Sequence, residues 1–107
     1  MSSDKMAAAI VAQMVESGIS EFISISMTGV PAWSVAAHIR CRGSELEELS
    51  LWANELRSEL DYAEPYPLKH GAWRQEIKAV GMVDGVRVTI LAHVDCGAPV
   101  WRPLVAA

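Results

Sequence analysis

Apolar positions along the chain change period several times. Met6, Ala7, Ile10, Val11 and Met14 recur at helical spacing, with Asp4 as a cap before them and Gly18 as a stop after them. At Ile23 the period drops to two. Ile23, Ile25 and Met27 alternate with Ser24 and Ser26, which predicts a half-buried strand. Thr28-Gly29-Val30-Pro31 is a turn signal, and a second strand follows with Trp33, Val35, Ala37, Ile39 and Cys41 on one face. Helical spacing then returns. Ser44 with Glu47 has the form of a capping box, and Leu46, Leu49, Ala53, Leu56, Leu60 and Ala63 form an apolar stripe that Pro65 and Pro67 close. Trp52 flanks this stripe. Two last alternating runs, Trp73–Met82 and Val86–Cys96, flank Val83-Asp84-Gly85, a strong hairpin signal.

This order, helix-strand-strand-helix-strand-strand, predicts a two-layer α+β domain. Two helices should cover one face of a four-stranded, mainly antiparallel sheet. The 107 residues suit a single domain, 1–107, with a tail from Gly97 to Ala107 that either docks or frays. A hydrophobic fraction of 51% against 21% charged excludes a disordered chain. The apolar run Met6–Val15 is too short for a membrane span, and Asp4 beside Lys5 argues against a secretory leader. A cytoplasmic chain with free thiols is therefore expected. Cys41 and Cys96 sit in similar pentapeptides, Ala37–Cys41 and Ala92–Cys96, a faint internal echo. Residues three apart on a strand face opposite ways, so His38 with Cys41, and His93 with Cys96, make poor ligand pairs. No metal and no cofactor is expected.

Two surfaces stand out. The outward sheet row predicted by alternation carries Ser24, Ser26, Ser34, Arg74, Glu76 and Thr89. With them go the candidate ligand or partner residues His38, Arg40, Lys78, Arg87, His93 and Asp95. It leans basic and could hold an anionic ligand or a partner. His93 and Asp95 could form an orienting pair, but no local motif supplies a nucleophile or a phosphate loop, so an enzyme is not the leading expectation. The second surface is the acidic segment 44–64, with seven acids against Arg57 alone. Its candidate partner residues are Glu48, Leu51, Glu55, Glu59 and Tyr62, and so dense a charge could imitate a phosphate backbone. Outside that segment the balance is slightly basic, although 13 acids against 9 bases disfavour bulk nucleic-acid binding. Trp33, Trp52 and Trp73 are expected core anchors, whereas Trp101 in the tail is the candidate interface anchor.

Trp52 and Leu56, then Gly71-Ala72-Trp73, then Val80–Val88 resemble small proteins of actinobacterial genomes and their phages, over residues 50–96. That resemblance implies no activity or site residue; it implies an accessory protein of a mobile element. Together these features point to a non-enzymatic interaction protein that binds a protein partner or itself, as a homodimer if hairpin edges are exposed. The alternatives are a small anionic-ligand binder or minor enzyme on the sheet face, and an acidic nucleic-acid mimic.

Overall fold

The computed structural model describes residues 2–40 and 43–98. Helix α1 (Ser2–Glu16) leads into a hairpin of β1 (Phe22–Thr28) and β2 (Ser34–Ile39). Helix α2 (Glu45–Glu55) comes next, then the short strands β3 (Leu60–Tyr62) and β4 (Tyr66–Pro67). The long hairpin of β5 (Trp73–Val83) and β6 (Val86–Cys96) ends the described chain. The tail beyond residue 98, with Trp101, lies outside the described residues, as does Cys41.

The architecture is α+β, with one correction to the expected sheet. Among the described residues it has six strands rather than four, ordered β1-β2-β6-β5-β3 with β4 also on β5. It is mixed, because β2 and β6 run parallel while every other pair is antiparallel. The parallel seam follows from connectivity: the chain leaves β2 through α2 and returns along the far side of β5. It also bears on the internal echo. In the first half β1 lies to one side of β2; in the second, β5 lies to the opposite side of the parallel β6. With both helices on one face, the two halves have opposite hand and no rotation superposes them. The echo is therefore not the trace of a repeated αββ unit.

The core lies between the helices and one sheet face. Val35, Ala37 and Ile39 on β2, Val86, Val88, Ile90 and Ala92 on β6, and Ile77 and Ala79 on β5 are all buried, as alternation requires. Asp84 and Gly85 both have positive φ, which matches the twist of a two-residue hairpin turn.

The helices depart from the pattern in two ways. On α1 the buried stripe is Ala8, Val11 and Val15, while Met6, Ile10 and Met14 are exposed. Small residues let the helix lie close to the sheet, and the longer side chains fall on its flank. The second departure is that α2 stops at Glu55, well short of Ala63. Arg57 takes φ 53, its N–H bonds the Asn54 carbonyl, and the Ser58 N–H reaches back to the Ala53 carbonyl. That is a Schellman stop with arginine in the place usually held by glycine. Leu60 then packs from β3 rather than from a helix. The expected capping box is also absent: the Ser44 hydroxyl bonds the Glu48 carboxylate, not a backbone N–H, and Glu45 accepts from the Gly43 N–H. Among the described residues, no helix is long and apolar enough to cross a membrane.

Candidate functional site: an open sheet face and edge

Strand registers place every candidate sheet residue on the face away from the helices. Arg87 and Leu91 pair with Ser34 and His38 across the parallel seam. Lys78, Glu76 and Arg74 stand opposite Leu91, His93 and Asp95 across the hairpin. Arg40 continues the β2 row and is exposed.

The basic lean of this face is largely offset at close range. Arg40 pairs with Glu21 at 3.3 Å, Arg74 with Asp95 at 3.3 Å, and Lys78 with Asp61 at 3.9 Å. Asp61 reaches the face because segment 60–62 is a strand rather than the end of a helix. Exposed pairs of this kind contribute little stability, roughly 0–1 kcal/mol each, but they do cancel the local field. Arg87 carries no ion pair among the described residues.

At the parallel seam the two echo histidines meet. His93 Nδ1 and His38 Nε2 are 3.1 Å apart and the rings lie edge to face at 4.9 Å. Because His38 is in register with Leu91, His93 is its diagonal neighbour two residues further along β6. Tyr66 from β4 sets its ring edge-on to His93, Glu76 on β5 stands opposite His93, and Ser24 on β1 stands opposite His38. Cys96 is on the inner row beside Trp73, on the other face from His93. Asp95 is engaged by Arg74 Nε and Nη2. Among the described residues, no group of three or more His, Cys, Asp or Glu side chains is arranged to hold a metal ion.

Burial, and then the neighbouring His93 ring, hold the His38 pKa below its ordinary value, with Glu76 pulling the other way. An unfolded chain therefore takes up this proton before the folded one does. The stability contributed by neutral His38 is fully present above about pH 6.5 and is lost as pH falls through the lower folded value. Urea midpoints should accordingly drop more between neutral and acidic pH in the wild type than in His38→Asn. Equal drops in the two proteins would remove His38 from the account.

Of the acidic partner residues, Glu48, Leu51 and Glu55 recur along one flank of α2, whereas Glu59 and Tyr62 lie beyond the helix. Glu48 is buried against Ser44, Leu51 and Glu55 are exposed on α2, Glu59 lies in the turn after it, and Tyr62 is on β3. The short helix leaves Glu47 and Glu55 as its exposed acids, and Glu59, Asp61 and Glu64 are exposed on the chain that follows it.

The sheet edges differ sharply. On one side, β3 and β4 are short, carry Asp61 and Pro67, and are broken between Tyr62 and Tyr66, where Pro65 falls. Such an edge resists further pairing. On the other side, β1 runs seven residues as Phe-Ile-Ser-Ile-Ser-Met-Thr, with no charge and no proline. Among the described residues it pairs with β2 alone, and Ile23 and Met27 are exposed. A bulge between Phe22 and Ser24 is its one irregularity. The strand was legible in the sequence. Its place at the edge was not, since that depends on the parallel seam.

No protein-family model, curated protein or solved structure matches this chain. The functional reading therefore rests on the molecule's own geometry.

Proposed function

We propose that the chain is a non-catalytic interaction module that joins a protein partner, or itself, by adding a strand at β1. The observation that carries this is the charge-free outer edge of β1, unpaired among the described residues and on the opposite side of the sheet from the proline-blunted edge. An exposed row of backbone N–H and C=O groups is a template for another strand, and natural folds normally blunt it with lysine or proline. The mutual neutralisation of the outer face supports contact with a protein surface more than capture of an anion. The resemblance to small actinobacterial and phage proteins makes an accessory role in a mobile element part of the same proposal.

The test places charge on that edge. Ile23 and Ser26 are both exposed, so Ile23→Lys with Ser26→Lys should leave the fold intact. Immobilised wild-type and double-lysine chains are compared for retention of the soluble chain and of host proteins. Whatever the wild type retains, the variant should lose. Equal retention by both, or no retention by the wild type, overturns the proposal.

A further inference from the structure

We infer that the partner at β1 is a second copy of this chain, joined about a two-fold axis with β1 against β1 and α1 against α1. The inference rests on the reading of β1 as a pairing edge. It adds a second, independent element, the flank of α1 that overhangs that edge.

Helix α1 packs over β1 and β2. Its two flanks differ. Met14 lines a groove with Trp52 and Leu56 of α2, so that flank faces inward over the sheet. Glu16 lines a depression with Phe22, Ile23, Ser24 and Ile25, so its flank faces the β1 edge. Spacing of four, three and four places Lys5, Ala9, Ala12 and Glu16 in one stripe on this second flank. Lys5, Ala9 and Glu16 are exposed and Ala12 is half-buried.

The stripe is complementary to its own antiparallel copy. Lys5 of one chain meets Glu16 of the other, and Ala9 meets Ala12. Each contact then occurs twice, as a two-fold axis requires. The axis would cross α1 between Ile10 and Val11. A β1 pairing centred on Ile25 sets Ser24 of one copy against Ser26 of the other, with its axis through Ile25.

These two crossing points lie close together along the molecule. Asp4 and Ala7 lie at the level of Gly29, and Glu16 lies at the level of Phe22 to Ile25. The middle of the helix therefore stands over the middle of the strand.

The spacing also fits. Paired strands are about 4.8 Å apart. A helix seated between β1 and β2 is then roughly 5 Å from the axis, and the two helices are roughly 10 Å apart. That is the upper end of close helix packing, and alanines at the seam allow it.

Sedimentation equilibrium of the full chain tests this at low ionic strength. The wild type should be a dimer. Lys5→Glu and Glu16→Lys each replace two attractive contacts by two repulsive ones and should raise the dimer dissociation constant about tenfold. The double swap should restore it to near the wild-type value, and the double-lysine change on β1 should give monomer. A wild type that is monomeric throughout the concentration series overturns the second copy as partner. The β1 reading would then still be judged by host-protein retention. A dimer indifferent to both single reversals, or not restored by the swap, overturns the α1 pairing. A dimer that survives the lysines on β1 overturns the edge itself.

Discussion

Trp52→Ala is expected to destabilise the fold by about 3–5 kcal/mol, enough to remove a large part of the stability of a domain this size. The indole is nearly buried and joins parts of the chain that are distant in sequence. It lies 6.0 Å from the Phe22 ring at the start of β1 and directly against Gly18, where an added Cβ would stand 2.7 Å from the indole. Its Nε1–H donates to the Ser20 hydroxyl at 2.8 Å. Truncation would thus open a cavity between α2 and the α1–β1 connection and leave the buried Ser20 hydroxyl without this donor. Trp52→Phe separates the two effects. It keeps most of the packing and loses the hydrogen bond, so about 1–2 kcal/mol is expected. Urea unfolding followed by far-ultraviolet circular dichroism measures both. If the alanine variant lies within error of the phenylalanine variant, packing of the indole is not what holds α2 to the first hairpin.

Trp52 was legible as a core anchor because a large apolar ring beside a helical stripe has few other places to go. The β5–β6 hairpin was legible for a similar reason. Asp84-Gly85 admits positive φ at both positions, and the period of two on either side sorts Val86, Val88, Ile90 and Ala92 inward and Arg87, Thr89 and His93 outward. Local chemistry carried these elements.

The rest was hidden where local chemistry gave no signal or a misleading one. Met6–Val15 is apolar on several sides, so nothing polar marked the flank that faces the sheet. The stop after Glu55 uses arginine where glycine is the usual sign. Leu60 and Ala63 continue the helical spacing by coincidence of period while belonging to a strand and the turn beyond it. Ser44 and Glu47 have the capping-box form, yet the Ser44 hydroxyl donates to the Glu48 carboxylate and its oxygen accepts from no backbone N–H at this helix end. The meeting of His38 and His93, and the position of β1 at the edge, both depend on the parallel β2–β6 seam. That seam is a property of the path between distant segments and leaves no mark in either strand.

The same dependence on distant segments shows at Gly81, where strand propensity and packing give opposite signs. Gly81→Val should destabilise by about 3 kcal/mol. Taken locally the change is favourable, since valine suits a strand and glycine weakens one, by up to about 1 kcal/mol. Gly81 stands opposite Val88 on the inner row, however, and the end of α2 rests on it. An added Cβ would lie 2.7 Å from Leu56 Cβ and 2.9 Å from the Leu56 carbonyl oxygen. Neither is the far end of a flexible side chain, and the Ser58-to-Ala53 hydrogen bond holds this helix end in place. Valine would have to push α2 off the sheet or twist β5 away from β3. Gly97→Val is the control, because nothing lies within 4 Å of its Cβ position and its φ is not in the left-handed region. Thermal and urea unfolding of the two variants should differ by most of the 3 kcal/mol. A Gly81→Val protein as stable as the wild type would mean that α2 is free to yield, and that its close seat on β5 does not fix the spacing between the two layers.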